Sequence, residues 1–336
     1  METKIVKANT ESDFKEAAKI IRSGGLVAFP TETVYGLGGN ALDPMAAKKI
    51  YEAKGRPSDN PLIAHISSLE QLTPLVKTIT PLAKSLMDKF WPGPMTLIFN
   101  KSELVPLETT GGLQTVAVRM PNHPVALKLI QEANVPIAAP SANLSGKPSP
   151  TKASHVIEDL SGRIDMILDG GDTDIGIEST IIDVTSDEPV ILRPGFITSN
   201  QIGQMKEDSS VPEDRRPKAP GMKYKHYAPK ASLVVIKGKK EDVLAELLKH
   251  QDEGIICTDE TRSYYSGNYV KSIGSRKDVK SVAHNLYRVL REFDETPVKM
   301  IYSESFDETE LGLSVMNRLL KAAGHQVIEV GKKGKE

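Results

Sequence analysis

The 336-residue sequence contains one cysteine, no long hydrophobic run and almost no net charge. Cys257 has no second cysteine to pair with, so an internal disulfide and a thiolate metal cluster are both excluded. Its apolar neighbours in GIICTD favour a buried core thiol. No apolar stretch is long enough to span a bilayer, and the first residues lack the hydrophobic region of a signal peptide. We therefore expect a soluble, cytoplasmic protein.

Charges of the two signs are almost equal in number. Lysine and arginine together number 43 and aspartate and glutamate 44, which gives a formal net charge of -1. A protein that coats nucleic acid usually carries a clear basic excess. The balance argues against general polyanion binding, so any basic site must be local.

Several familiar catalytic motifs are missing as well. GKPSPT, which begins at Gly146, departs from the P-loop pattern at Pro148, and GLGG at 36–39 is only a fragment of GxGxxG. The seven histidines show no metal-ligand spacing, and Ser141 lacks the GxSxG elbow of a hydrolase. The sequence thus argues against a P-loop, a Rossmann cofactor site in its first half, a zinc site and a serine hydrolase.

What the sequence does contain is a regular alternation of helical and apolar segments, which predicts an α/β fold. In the first 202 residues we expect helices at 10–23, 43–53, 81–90 and 122–134, and strands at LVAF, PLIAH, MTLIF, TVAVRM and PIAAP. The strands MILD, STIIDV and VILRPG follow without long helices between them, so this part of the sheet is expected to be mixed or antiparallel.

The chain is predicted to divide into two domains. Residues 203–230 contain four prolines and many charges without periodicity, which is typical of a connection. From residue 231 to 336 the pattern restarts as strand, helix, strand, helix, strand and helix. We predict a twisted, open, mixed sheet in residues 1–202, an interdomain linker at 203–230, and a smaller Rossmann-like three-layer α/β domain with a parallel sheet at 231–336.

Polar side chains collect where the predicted strands of the first domain end. Ligands of open α/β sheets bind beyond the carboxyl ends of strands, so these residues are candidates for a site. They are Thr31, Glu32 and Thr33 after LVAF, His65 after PLIA, Arg119 after TVAV, Ser141, Asn143 and Ser145 after PIAA, and Arg193 after VIL, together with Ser179 and Thr180 at the start of STIIDV. Hydroxyls, two arginines and a histidine suit an anionic ligand, although His65 alone is equally compatible with a core histidine.

KGRPSDNPL, residues 54–62, adds Lys54 and Arg56 directly after a predicted helix. Taken alone, the segment is more typical of a solvated basic loop. Combined with Arg119 and Arg193 at strand ends, it favours a polyphosphate pocket.

Seven blocks of the first domain, in order, resemble the YrdC/Sua5 family of threonylcarbamoyl-AMP synthases. The blocks are FPTETVYGLGG, KGRPSDNPL, WPGPMT, VAVRMPNHP, PIAAPSANLSGKPSPT, GIESTIIDV and ILRPG, and the segment KAPGMKYKHYAP with the domain after it resembles the long Sua5 form. The resemblance implies a YrdC-like first domain with a positively charged concavity. It also implies an enzyme that makes L-threonylcarbamoyl-AMP and pyrophosphate from L-threonine, bicarbonate or carbon dioxide, and ATP with Mg²⁺.

The resemblance also implies roles for individual residues. The L-threonine-binding positions are Thr33, His65, Arg119, the backbone at Ala139, and Ser179. The ATP-binding positions are Arg56, Asn60, Thr115, Ser141, Ser149, Arg193 and an aromatic residue of the linker, placed at Tyr227 with His226 as the alternative. Lys54 and Arg56 are expected to stabilise charge, since the chemistry needs no covalent nucleophile. Glu32 or Glu178 would orient the ammonium, hold a metal, or serve only as a structural acceptor.

The family also implies partners: the product would pass to a separate transferase complex that modifies adenosine 37 of tRNA. A double-stranded RNA or tRNA-binding module is the alternative function, with at most weak RNA binding expected from the charge balance.

In FPTETVYGLGGN itself, we expect Pro30 to end a strand, Thr31 and Thr33 to face the substrate, and the glycines to let the backbone turn away beneath it. Tyr35 fits a pocket wall or a core position equally well.

Overall fold

The computed structural model describes residues 2–203, 205–208, 217–220 and 226–331. The chain divides into two compact units, Met1–Ser145 with Ser149–Tyr224, and Gly146–Pro148 with Lys225–Glu336. Much of the segment 203–230 lies outside the described residues, so the linker and the domain boundaries around it stay a prediction. No helix in the described part of the chain is long and apolar enough to cross a membrane.

Within the described residues, the first unit contains one mixed sheet of eleven strands surrounded by helices. The helices are α1 (Glu11–Arg22), α2 (Pro44–Lys54), α3 (Leu69–Leu72), α4 (Pro81–Phe90), α5 (Pro124–Ala133), α6 (Ala153–Leu160) and α7 (Ser199–Ile202). The strands are β1 (Lys4–Lys7), β2 (Val27–Pro30), β3 (Tyr35–Asn40), β4 (Ile63–His65), β5 (Met95–Asn100), β6 (Thr115–Arg119), β7 (Ile137–Ala138), β8 (Met166–Asp169), β9 (Thr180–Asp183), β10 (Val190–Arg193) and β11 (Lys206–Glu207). Their order is β1-β8-β2-β3-β7-β4-β6-β5-β9-β10-β11, and the sheet contains both parallel and antiparallel pairs, which confirms the predicted mixed sheet.

Helix α1 shows how local sequence sets these elements. Thr10 accepts a hydrogen bond from the backbone N–H of Asp13, and the Asp13 carboxylate accepts one from the backbone N–H of Thr10, so the helix begins with a capping box. Phe14, Ala17, Ala18 and Ile21 recur at helical spacing and are buried. They pack with α5 against one face of the sheet.

The glycine-rich segment after β2 is a strand, which the sequence-based interpretation missed. Residues 35–40 form β3, paired antiparallel with β2. A Cβ at Gly38 would lie 2.7 Å from side-chain atoms of both Ile137 and Phe29, so glycine is needed here for close packing. The expected turn of the backbone is therefore wrong. Tyr35 is fully buried and donates its hydroxyl to the carbonyl of Gly171, which makes it a core residue.

The second unit contains a five-stranded sheet in the described residues. Its strands are β12 (Ser232–Lys237), β13 (Gly254–Cys257), β14 (Val270–Ser272), β15 (Met300–Glu304) and β16 (Val327–Glu329), and its helices are α8 (Lys240–Leu247), α9 (Val279–Phe293) and α10 (Glu310–Ala322). All pairings in the order β14-β13-β15-β12-β16 are parallel, as predicted. Cys257 is buried as expected, and burial raises the pKa of its thiol to about 12.

We predict that Gly38→Ala destabilises the protein by about 1–3 kcal/mol, because the new methyl group has to displace two packed side chains. The matched control is Gly39→Ala in the same strand, where the nearest atoms to a Cβ are 3.2 Å away and are ends of aliphatic side chains. Chemical denaturation of the two variants should give the larger loss for Gly38→Ala. An equal or larger loss for Gly39→Ala would contradict the packing explanation.

Candidate functional site

Strand directions bring four of the polar residues to one edge of the first sheet. β4 and β6 are parallel, and His65 lies opposite Arg119 in the register at their carboxyl ends. β5 is antiparallel to β6, and β9 is parallel to β5, so Ser179, directly before β9, reaches the same edge. β10 runs antiparallel to β9 and ends there with Arg193. The prediction from strand ends therefore holds for these four residues.

Thr33 reaches this group by a different route. Three antiparallel pairings separate β2 from β4, so β2 runs opposite to β4 and β6. The shared-edge rule therefore does not explain why Thr33 lies near Arg119. The long arginine side chain makes the contact instead: Arg119 Nη1 donates to Thr33 Oγ1 at 2.9 Å.

The guanidinium group of Arg119 is buried and surrounded by acceptors. Besides Thr33, its Nε donates to the carbonyl of Gly93 at 3.2 Å, and Nη2 lies 2.6 Å from Glu32 Oε1. The Nη2 group and both Glu32 oxygens nevertheless lack a well-aligned hydrogen bond in the described structure. A close, buried ion pair with unused donors and acceptors is a site at which a polar ligand gains hydrogen bonds.

The loop that carries Thr33 is held tightly. Thr31 Oγ1 donates to the carbonyl of Val34 at 2.7 Å and lies 2.8 Å from Thr33 Oγ1. The backbone N–H of Gly176 donates to the carbonyl of Thr33, which ties the loop to the segment before β9. Thr33 is fully buried, so its hydroxyl has a fixed position.

His65 is held as a neutral imidazole. Its ring lies edge-on to Phe29, and Nδ1 lies 3.1 Å from the carbonyl of Ile63, so Nδ1 carries the proton and donates. Burial and the nearby positive charge of Arg119 lower the pKa of His65 to about 3. Nε2 is therefore a hydrogen-bond acceptor at neutral pH.

Arg193 clamps the backbone that precedes β9. Its Nη2 donates to the carbonyl of Ser179 at 2.9 Å, and its Nη1 donates to the carbonyl of Pro220 at 3.2 Å. The Ser179 hydroxyl lies 2.8 Å from Thr96 Oγ1 on β5. Sequence reasoning did not single out Thr96, although its position in MTLIF, a polar residue inside an apolar strand, was the available signal.

Lys54 is buried rather than exposed in a loop. It is the last residue of α2, and its Nζ donates to the carbonyls of Ser141 and Asn143, each at 2.5 Å. This geometry makes Lys54 a support for the backbone of 141–143. Arg56, after the helix, is half-buried and donates to the carbonyl of Pro61 at 3.3 Å. Direct contact of Lys54 and Arg56 with phosphates stays a prediction.

The remaining predicted residues of the first unit lie in buried or half-buried positions. Asn60 is buried, and its Oδ1 has no hydrogen-bond partner in the described residues. Ser149 is fully buried and donates to Glu178 Oε1 at 2.7 Å, so Glu178 serves as its acceptor. Ala139 donates its backbone N–H to the carbonyl of Ile63. Two further positions are half-buried, namely Thr115, where β6 begins, and Ser141.

Tyr227 and His226 belong to the second unit. Tyr227 is buried, its ring centroid lies 5.1 Å from that of Tyr287 on α9, and its φ of 65° is in the left-handed region. The ring centroids of His226 and Tyr227 are 5.5 Å apart. The fixed packing of Tyr227 shows that this aromatic pair is ordered within its own unit.

These features define a class: an α/β enzyme whose buried site offers a cation, a carboxylate and hydroxyls to a small polar ligand. The profile of the Sua5/YciO/YrdC family, described as Telomere recombination, matches residues 19–195. A second profile, described as Threonylcarbamoyl-AMP synthase, C-terminal domain, matches residues 197–324. The chain belongs to the Sua5/YrdC family, which confirms the resemblance and the enzyme class predicted from it.

Full-length relatives are similar over nearly the whole chain. A protein of Bacillus subtilis named Threonylcarbamoyl-AMP synthase is 51% identical over 331 residues, or 96% of each chain. The crystal structure of Pyrococcus abyssi Sua5 complexed with L-threonine has a TM-score of 0.90 and 48% identity, covering 98% of this chain and 100% of the other. A Pyrococcus abyssi Sua5 variant with alanine in place of one histidine and one tyrosine gives the same TM-score and identity, covering 98% of each chain.

We predict that protonation of His65 limits stability at acidic pH. Because its pKa falls from 6.5 to about 3 on folding, the stability it contributes is present above pH 6.5 and is lost as the pH falls through the range from 6.5 to 3. In His65→Asn, the unfolding free energy should fall less steeply between pH 6.5 and 4.5, by up to about 1.4 kcal/mol per pH unit.

Urea denaturation at several pH values measures this slope, and the matched control is His325→Asn at an exposed histidine. The pKa of His123 is also lowered by burial, so part of the slope should remain. The assignment of a neutral, buried imidazole would be contradicted if the unfolding free energy of His65→Asn fell as steeply with pH as that of the parent protein and of His325→Asn.

Proposed function

We propose that this chain makes L-threonylcarbamoyl-AMP and pyrophosphate from L-threonine, bicarbonate or carbon dioxide, and ATP. The observation that carries the proposal is the buried pair Arg119 and Glu32, whose unused hydrogen-bonding atoms lie beside Thr33. A zwitterion such as threonine complements this pair, since it brings one carboxylate and one ammonium group. The name of the Bacillus subtilis relative and the L-threonine complex of the Pyrococcus abyssi protein support the same reading.

In this proposal the first unit holds threonine with both side chains and backbone. Arg119 binds the carboxylate, and a charge-assisted contact of this kind contributes roughly 1.5–3 kcal/mol. Glu32 accepts from the ammonium group, and His65 accepts through Nε2 without adding a repelling charge. The other threonine-binding positions are Thr33, the backbone at Ala139, and Ser179.

ATP is proposed to lie beside the threonine. The proposed contacts are Arg56, Asn60, Thr115, Ser141, Ser149 and Arg193. Lys54 would hold the backbone at Ser141 in place by donating hydrogen bonds to the carbonyls of Ser141 and Asn143. The described residues contain no group of three or more histidine, cysteine, aspartate or glutamate side chains that fits a metal ion. Mg²⁺ is proposed to bind together with the ATP phosphates.

The chemistry then needs positioning and charge stabilisation. The threonine amine, after losing a proton, attacks carbon dioxide to form a carbamate. A carbamate oxygen attacks the α-phosphorus of ATP, and the bond to pyrophosphate breaks as the new P–O bond forms. Arg56 and Arg193 are the cations proposed to stabilise the charge that develops on the phosphates. The adenylate would be consumed by a separate transferase that modifies adenosine 37 of tRNA.

We also propose that residues 203–230 form a linker that closes over the site and excludes water from the labile product. Tyr227 is the proposed nucleotide contact, with His226 as the alternative. Replacement of a histidine and a tyrosine in the Pyrococcus abyssi protein is compatible with a role for such a pair.

The expected reaction is tested with purified protein, labelled bicarbonate, threonine and ATP. Pyrophosphate release should require both threonine and bicarbonate, and label should appear in an adenylate. Arg119→Lys keeps the positive charge but loses the paired N–H donors of the guanidinium group. The KM for threonine should therefore rise about tenfold or more, while the KM for ATP changes less than about twofold.

Arg163→Lys is the matched control, because Arg163 is an exposed arginine of the same unit. Release of pyrophosphate without threonine or bicarbonate would refute the proposed reaction. Equal increases of both KM values in Arg119→Lys would refute only the assignment of Arg119 to the threonine carboxylate.

Separate substitutions distinguish the two linker residues. We predict that Tyr227→Ala raises the KM for ATP about tenfold, as expected for loss of one aromatic stacking contact, and that His226→Ala changes it less. Steady-state kinetics at saturating threonine measures both. Because Tyr227 packs on Tyr287, thermal unfolding of Tyr287→Leu controls for loss of packing alone. A larger effect of His226→Ala would reverse the assignment.

A further inference from the structure

The second unit contains a cavity of about 470 Å³ that the proposed reaction does not use. One wall is residues 276–280, at the end of the connection from β14 and the start of α9. The other is residues 306–307 and 309–312, in the connection from β15 and the start of α10. Its volume is within the range of small-molecule sites. We call it the dipolar pocket, for the charges described below.

The pocket lies at the carboxyl edge of a parallel sheet, next to the point where its connections diverge. From β13 the chain goes on to β14 on one side of the sheet, whereas from β15 it goes on to β16 on the other. β13 and β15 are neighbours, so their carboxyl ends flank a topological switch point. In open α/β sheets this crevice is where ligands bind.

A buried carboxylate at the end of β15 holds one of the residues that line the pocket. Glu304, the last residue of β15, is 2% exposed and accepts hydrogen bonds from the hydroxyls of Thr258, Thr261 and Tyr265. Its Oε2 also lies 2.7 Å from Nη2 of Arg276. The network anchors Arg276 at the rim of the pocket.

The first wall is rigid. Glu260 accepts hydrogen bonds from the Ser275 hydroxyl and from the backbone N–H of Arg276 at 3.1 Å. Ser281 accepts from the backbone N–H of Ser275 at 3.0 Å. The guanidinium of Arg276 lies 5.2 Å from the ring centroid of Phe306, which belongs to the opposite wall. The first wall is thus held by hydrogen bonds, and it contacts the second wall through Arg276 and Phe306.

The two walls carry opposite charges. Arg276, Lys277 and Lys280 outnumber Asp278 on the first wall, whereas Asp307 and Glu310 are the charged residues of the second. Among the described residues, neither these two lysines nor these two acids lie within ion-pair distance of an opposite charge. The floor is apolar, since Phe306 and Leu311 are buried.

We propose that the dipolar pocket binds a free α-amino acid. Its carboxylate would lie against the first wall, at Arg276 and Lys277, and its ammonium group against Asp307 and Glu310 on the second. The side chain would rest on Phe306 and Leu311. A ligand with only negative charge would meet the acids of the second wall, so phosphate compounds fit less well. This site is separate from the substrate site proposed for the first unit.

Methyl NMR of the full chain tests the proposal without relying on activity. Val279 and Leu311 line the pocket and report on it, whereas Leu247, on α8, does not line it. Each proteinogenic amino acid is added singly, as the free compound, at up to millimolar concentration. At least one should shift the Val279 and Leu311 methyl signals with saturation and leave Leu247 unchanged.

Lys277→Gln and Asp307→Asn should each weaken that binding about tenfold, as expected for loss of one charge-assisted contact. Both positions are exposed, so these variants should fold, and Lys299→Gln, at another exposed position of the second unit, is the matched control. Binding that Lys277→Gln and Asp307→Asn leave unchanged would overturn the proposal.

Three further results would also overturn it. The first is that no amino acid shifts the reporter signals. The second is that inorganic phosphate or AMP shifts them while amino acids do not. The third is that the shifts disappear in Arg119→Lys but persist in Lys277→Gln, because they would then arise from the first unit. Failure of the proposed synthase reaction would leave this test unaffected.

Discussion

The first unit has to surround the buried guanidinium group of Arg119 with groups that compensate its charge. Removing a full charge from water costs several kcal/mol unless nearby groups compensate. Here the carbonyl of Gly93, the hydroxyl of Thr33 and the carboxylate of Glu32 surround the charge. The loop after β2 therefore contacts a side chain of β6, although three other strands lie between β2 and β6, and its internal hydrogen bonds hold it in that position.

The same charge contributes to the protonation state of its neighbour. His65 lies opposite Arg119 in the register, and burial, together with the cation, lowers the pKa of the imidazole to about 3. The site thus contains one positive charge, one negative charge and one neutral acceptor. This combination favours a zwitterion over a simple anion, because Glu32 would repel a second carboxylate or a phosphate placed beside it.

Much of the fold and part of this site follow from the sequence alone, for identifiable reasons. Helices and strands were predictable where periodicity is strong, as in α1 and the parallel sheet of the second unit. His65, Arg119, Ser179 and Arg193 could be grouped because strand ends at one edge share a location. Thr33 was selected by the same rule, but the structure brings it to Arg119 across antiparallel strands, which only the pairing order reveals.

The errors also have physical causes. β3 was missed because its glycines resemble a turn, whereas Gly38 is required by close packing against Phe29 on β2 and Ile137 on β7. The burial of Lys54 could not be predicted, because the sequence does not show that the carbonyls of residues 141 and 143 accept hydrogen bonds from its ammonium group. In both cases the contacting residues belong to other strands or loops, so the local sequence pattern could not reveal them.

The two sheets differ in how far a strand-end rule can be applied. In the second unit all pairings are parallel, so each carboxyl end reaches the same edge and Glu304 and Arg276 meet at the switch point as the rule requires. In the first unit the sheet is mixed, so the carboxyl ends of its strands do not all lie at one edge. A functional side chain must then be long enough to reach residues that follow a strand of the opposite direction. Arginine is the residue that can do so, because it combines length with a charge that needs several acceptors.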